Sequence, residues 1–296
     1  MKILVPLSNL EEVKPLCTAG ADQFYCGLVH KNESLNDRPN IGNFNFTDID
    51  ELSKAVDIVH GLGKDMFLVI NNITPDLESA LSQARIAEKL GIKGVIVSNP
   101  LVLKRIREEK LKLDVCASCL TGALNSQAIN FFQKLGAKLI HLPRHVGIKD
   151  LEMISNNLEG IELSVFGMNG MCINIEAYCS LHYLKNEFFI PCNNFKTIEL
   201  AGEGSLSKTE MNKKINSPKI SCGICAFKRF KKIGISSIKI EGRGISTNKK
   251  IINVSIVKEA LDLANENIND ADFHLLCKRL FKKHFNEDCK VEYCYF

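Results

Sequence analysis

Five of the chain's twelve cysteines crowd into one stretch between residues 172 and 225. Cys172 is followed after six residues by Cys179, after twelve more by Cys192, and finally by Cys222-Gly-Ile-Cys225. Thiolates bind soft metals and take part in redox reactions, so a loop crowded with them is a candidate metal or redox centre. Four thiolates hold zinc tetrahedrally, and Cys222-x2-Cys225 has the spacing of a zinc knuckle. A zinc ribbon has two such pairs, however, and Cys172 and Cys179 are too widely separated to make the second. Iron–sulfur clusters accept irregular spacing. The series therefore fits a [4Fe–4S] cluster better, with zinc open as the alternative. The bland reading, five buried apolar thiols, sits poorly with the Asn, Ser and Gly around them. Shortly downstream comes Lys239-Ile240-Glu241-Gly242-Arg243.

Those residues need a scaffold, and the sequence describes one. Helical stretches that end in an apolar residue plus Gly recur, each followed within a few residues by a short apolar strand. The pattern occurs at Ala19-Gly20, Leu62-Gly63, Leu90-Gly91, Leu135-Gly136 and Ile233-Gly234. Glycine there supplies the left-handed turn that leads out of a helix. Adding Ile3 to Pro6, Leu113 to Cys116 and Ile161 to Phe166 gives eight strands alternating with helices. Thr47 is the expected cap of a helix over 48–60; Pro75-Asp76 opens one over 77–90, and Pro100 starts another. Short strands that are apolar on both faces imply a parallel sheet buried on both sides. Eight of them favour a closed (β/α)8 barrel with the cysteine-rich insertion, 167–225, between strands seven and eight. Residues 1–270 are expected to form this barrel and 271–296 a terminal helix and tail, which carry Cys277, Cys289 and Cys294.

In such barrels the functional groups follow the strands. The positions that do so include Asn71, Asn72, Ser118, Arg144, His145, Glu241 and Arg243. Arg144 and Arg243 suit bidentate capture of a small carboxylate, and an ion pair inside the protein is the competing reading. Asn71, Asn72 and Ser118 supply neutral hydrogen bonds. Glu241 and His145 are the candidate acid–base residues, although a lone His is more often structural. The runs 227–232 and 277–284 mix positive and aromatic residues, a pattern that suits RNA but suits helix faces with buried Phe better.

Bulk properties agree with an ordinary globular chain. The 296 residues carry a net charge of +4, too mild to imply nucleic acid by itself, with 45% hydrophobic residues. The N-terminal apolar run is too short for a signal peptide and no membrane span is evident. The expected location is cytoplasmic, where twelve cysteines read as thiols rather than disulfides.

Several segments together resemble the collagenase-like peptidase family U32. They are Lys2 to Pro6, Ala19 to Asp22 with Tyr25-Cys26-Gly27, Asn45-Phe46-Thr47, Gly94 to Ser98, Arg144, Glu162 to Cys179, and Gly234 to Arg243. The resemblance implies a barrel with a [4Fe–4S] cluster on Cys172, Cys179, Cys192 and Cys222, with Cys225 as the alternative fourth ligand. It also implies oxygen-independent hydroxylation, of a ubiquinone precursor, a tRNA uridine or an rRNA cytidine, with prephenate as co-substrate. A partner protein of the same family is a further implication. Protease activity, or a non-catalytic cluster-carrying subunit of a heterocomplex, are the alternatives. The chain has no His-Glu-x-x-His helix, Gly-x-Ser-x-Gly elbow or recognisable Cys–His–Asn set. It departs from the family pattern at Cys116, where many relatives have His, and at His145, where they have Glu.

Overall fold

The computed structural model describes residues 1–30, 33–35, 44–170, 172, 175–178, 220–291 and 294–296. Eight parallel strands close into a barrel: β1 (Lys2–Pro6), β2 (Gln23–Cys26), β3 (Asp65–Ile70), β4 (Gly94–Val97), β5 (Asp114–Ala117), β6 (Leu139–His141), β7 (Glu162–Met168) and β8 (Ser237–Ile240). Closure is made by β8 against β1, with Leu4 opposite Lys239. Among the described residues, seven α-helices lie between successive strands: α1 (Val13–Ala19), α2 (Ile49–Gly61), α3 (Leu77–Lys89), α4 (Pro100–Glu108), α5 (Ser126–Lys134), α6 (Ile148–Asn156) and α7 (Phe227–Ile233). After β8 come α8 (Thr247–Asn265) and α9 (Asp270–Phe285). The (β/α)8 architecture expected from the sequence is the one observed.

Local chemistry sets the element ends. The side chains of Asp76, Asn99 and Asn125 accept first-turn N–H groups of α3, α4 and α5. The cap of α2 is Asp48, not Thr47. Its carboxylate accepts from Asp50 N at 2.9 Å and also places negative charge at the positive end of the helix. Gly234 closes α7 at φ +87°, a backbone region that β-carbons disfavour.

Strand alternation divides the core in two. Residues such as Val5, Phe24, Leu68, Val95, Ile140, Val165 and Ile238 join the large core shared with the helices. Leu4, Tyr25, Phe67, Val69, Ile96 and Cys116 form a separate cluster inside the barrel. With a period of two, the inner face of β6, β7 and β8 then falls to His141, Ser164 with Phe166, and Ser237 with Lys239. His141, Ser164 and Ser237 are register neighbours across these strands, and each is at most 2% exposed. Polar groups have replaced apolar ones on this third of the interior.

The N-terminal end of the barrel carries compensated charge. Asp65 accepts from Lys93 Nζ at 2.8 Å and from Gln23 Nε2 at 3.2 Å. Burial pushes its pKa up, but these hydrogen bonds outweigh burial and hold the carboxyl below its ordinary value. Its contribution is therefore present above about pH 4 and is lost as the pH falls below that. Asp65 is partly exposed, so Asp65→Asn is expected to cost about 0.5–1 kcal/mol at neutral pH. The deficit should shrink in acid denaturation curves.

One irregular feature carries the site. Beyond β7, residues 221–223 run antiparallel beside 167–169, with Asn169 N donating to Ser221 O at 2.8 Å and Gly223 N to Gly167 O at 2.9 Å. Cys222 pairs with Met168 on one side and with Cys294 on the other. Tyr295 N donates to Cys222 O at 3.0 Å. The long β7–β8 connection thus ends beside the point where it began, and the C-terminal segment adds a third strip. Among the described residues, no helix is long and apolar enough to cross a membrane.

Candidate functional site at the C-terminal rim

The barrel mouth is built around Phe166, which projects inward from β7. The Arg144 guanidinium carbon lies 3.7 Å from its ring centroid and Lys239 Nζ lies 5.8 Å from it. Lys239 Nζ also stands 4.6 Å from the centroid of Tyr25. Each of the two cations is attracted by the ring's quadrupole. Cys119, Leu120, Ile73 and Tyr295 complete a small apolar collar around Phe166.

Arg144 is matched inside the protein. Glu176 accepts from its backbone N at 2.7 Å and from Nη1. The two side chains are 8% and 5% exposed. Burial alone would depress the guanidinium, but the charge of Glu176 outweighs it and Arg144 stays ionised. Its Nε is buried with no hydrogen-bond partner among the described residues. Tyr295 Oη donates to the Asn169 carbonyl and lies beside the Arg144 charge. Gly170, at φ +70°, borders the same spot. A β-carbon there would stand 1.9 Å from Glu241 Oε2 and 3.5 Å from Arg144 Nη2. The arginine is therefore not the unpaired cation that would make a ready anion site by itself, and one donor remains for a ligand.

Arg243 is 5% exposed, and its Nη1 donates to Asn45 Oδ1 at 3.3 Å. It borders a buried pair in which Lys250 Nζ meets the two oxygens of Glu12 at 2.8 and 2.7 Å and Ser8 Oγ at 2.9 Å. This group ties the loop after β1 to α8. Glu241 lies beside Arg144 and Tyr295 at the mouth. His145 is exposed, with Nε2 3.2 Å from the Cys172 carbonyl. Asn72 accepts from Thr74 N at 3.2 Å and Ser118 from Leu120 N at 3.2 Å, which are turn and capping tasks. Asn71 Nδ2 reaches Ser118 Oγ at 3.5 Å.

Beneath Phe166 and Lys239 lies His141. Both its ring nitrogens, together with Ser164 Oγ and Ser237 Oγ, are buried without hydrogen-bond partners among the described residues. Burial, helped by the nearby charge of Lys239, pushes the His141 pKa well below its ordinary value. Cys116, also inside the barrel, is pushed up to about 12 by burial and stays a thiol. The structure thus adds His141, Lys239, Glu176 and Tyr295 to the residues singled out by sequence.

Of the loop cysteines, Cys172 is half-buried at the rim just past β7 and Cys222 is buried beside Met168. Cys179 and Cys192 lie outside the described residues. Cys225 is half-buried, and the neighbouring Cys277 thiol holds its pKa below the ordinary value. As they stand, no three described His, Cys, Asp or Glu side chains surround a point that would hold an ion. The basic run 227–232 is structural: Phe227 and Phe230 are fully buried, Lys231 Nζ bonds Asn265 Oδ1 at 2.8 Å, and Lys228 and Lys232 lie near Asp270.

Known proteins resemble this chain in sequence and fold. Residues 8–295 match the family described as Peptidase family U32. A "tRNA hydroxylation protein P" of Escherichia coli (strain K12) is 25% identical over 183 residues, which are 61% of this chain and 39% of that protein. The chain thus spans about two-fifths of that relative's length. "tRNA hydroxylation protein P2" of Bacillus subtilis (strain 168) is 27% identical over 285 residues, covering 90% of this chain and 87% of that protein. Among solved structures, the U32 peptidase Mk0906 superposes with a TM-score of 0.54 at 14% identity over 82% of this chain and 93% of the other. At that identity the likeness establishes the barrel alone. The family match over nearly the whole sequence goes further: this chain belongs to peptidase family U32.

Proposed function

We propose that this chain is an oxygen-independent hydroxylase acting on tRNA. Its barrel mouth would bind a small carboxylate such as prephenate, and a [4Fe–4S] cluster would be held nearby by Cys172, Cys179, Cys192 and Cys222. The observation that carries the reading is the pairing of 221–223 with 167–169. It returns the far end of the cysteine loop to its start, beside Arg144 and Phe166. Soft thiol donors at both ends of that loop fit the chemistry of the cluster. Relatives named for tRNA hydroxylation support the substrate class.

Such a cluster supplies one-electron chemistry when bound. The chain's own residues supply the rest. The unpartnered Arg144 Nε is the donor for a carboxylate, and Lys239 adds positive charge behind it. Phe166 and Tyr295 give the mouth flat apolar walls that exclude water and suit an aromatic ring or an unstacked base. Glu241 is the group placed to accept or return a proton at the mouth.

Two measurements test the reading. Protein isolated anaerobically should contain iron and sulfide with the absorbance of a [4Fe–4S] cluster, and Cys172→Ser should abolish it. Zinc without iron would refute the cluster chemistry. Arg144→Lys keeps the charge that Glu176 needs but lacks Nε. It should weaken carboxylate binding about 10-fold or more while leaving the cluster spectrum intact. Unchanged carboxylate affinity would remove Arg144 from the site.

A further inference from the structure

One sector of the barrel interior carries polar side chains that the mouth does not use. Seven buried side-chain nitrogen and oxygen atoms have no hydrogen-bond partner among the described residues, and four of them belong to His141, Ser164 and Ser237. These three are neighbours: His141 stands opposite Ser164, and Ser164 opposite Ser237, in the strand register. All three share the inward face. Adjacent strands lie about 4.8 Å apart, so their polar atoms are within reach of a shared water, yet none bonds another directly. The sector is shut off from solvent at both ends. One step toward the mouth, Phe166 stands opposite Lys239, with Lys239 Nζ 5.8 Å from the ring centroid. One step the other way, Leu139 stands opposite Cys116, and Cys116 belongs to the apolar cluster of Leu4, Tyr25, Phe67 and Ile96.

We propose that His141, Ser164 and Ser237 form an internal hydration site, in which one or two ordered waters bridge the three side chains and serve as the proton partner of His141 beneath the mouth. Three observations select water. A buried donor or acceptor without a partner forfeits its hydration, and native interiors do not gather four such atoms in one place. Polar groups this close that do not bond directly make the arrangement a bridging water completes. Two neighbouring serines also leave room at the barrel axis, which Tyr25, Phe67 and Ile96 fill on other strands. The charge state narrows the guest further. Burial and the charge of Lys239 keep the His141 imidazole neutral, so it presents one donor and one acceptor. An anion would answer only the donor, and a cation would be repelled by Lys239. Water answers both, and at about three hydrogen bonds per buried molecule two waters serve all four atoms.

The test uses the full chain with isotope-labelled histidine at neutral pH. Long-range nitrogen–proton spectra identify the His141 ring as the signal lost in His141→Leu. Its N–H proton should be visible in a single tautomer, with a cross-peak to water, and should be protected from exchange with bulk solvent. Stability supplies an independent readout whose sign decides. Ser164→Ala and Ser237→Ala add no volume, and each should lower the folded-to-unfolded ratio in urea by about 2- to 10-fold, the worth of one hydrogen bond. In a dry interior the same substitutions would remove an unsatisfied hydroxyl and raise that ratio. The proposal is overturned if the ring proton shows no contact with water or exchanges freely with bulk solvent. It is also overturned if either serine variant is as stable as the parent or more so.

Discussion

Glu176→Ala should destabilise the protein by about 3–5 kcal/mol, because it leaves the Arg144 guanidinium buried without its counter-charge. The pair is almost fully enclosed, and both carboxylate oxygens are in use. The cost would arise mostly from the stranded cation, not from the lost attraction. Replacing both partners, as Arg144→Met/Glu176→Leu, should therefore recover most of the stability. The cation would also be free to accept another anion. Added malonate should then stabilise Glu176→Ala more than the unsubstituted chain, approaching about 2.7 kcal/mol at a hundredfold excess over its Kd. Urea denaturation with and without malonate measures both effects. A Glu176→Ala stability within about 0.5 kcal/mol of the parent would show that the pair is a surface-like contact.

The second large effect concerns acid. His141 is neutral inside the barrel because burial and Lys239 push its pKa well below 6.5. In the unfolded chain it takes a proton near pH 6.5. The unfolded state then binds more protons, so stability is retained above that pH and lost as the pH falls below it. The slope contributed is up to about 1.4 kcal/mol per pH unit. His141→Leu removes the titrating group and also fills the place of two unpartnered nitrogens with apolar volume. The variant's stability should fall less steeply than the parent's between about pH 6.5 and pH 5. Parallel slopes for the two proteins would mean that His141 is protonated within the fold.

How far these residues could be read in advance depended on the range of the signal. Strands and helices are local: the recurring helix–Gly–strand pattern located five strands and short apolar runs the other three, all to within one or two residues. Thr47 was a plausible cap, but the neighbouring Asp48 has the carboxylate that the helix dipole favours. Arg144 and Glu241 were found because barrel chemistry follows strand ends. His141 and Lys239 were missed because strands buried on both faces give no hint of which face lines the barrel. Reading Leu139, His141 and Ser164, Phe166 as same-face pairs would have exposed a polar sector. Glu176 and Tyr295 meet Arg144 from distant parts of the chain, and no spacing rule reports such contacts. The cysteines at 277, 289 and 294 were read as tail residues for the same reason.

The strip that carries Tyr295 has a consequence for motion. Among the described residues its backbone bond to the rim is Tyr295 N to Cys222 O, and Tyr295 Oη reaches a carbonyl 126 residues away in sequence. A short edge segment closed over so large a loop belongs to the lowest-energy class of local openings, well below global unfolding. Amide exchange at Tyr295 should therefore outpace exchange in β7, and each opening would take a wall off the mouth and expose Arg144 to solvent. Access to the site is then governed by a fluctuation of the last few residues, while the barrel beneath stays intact.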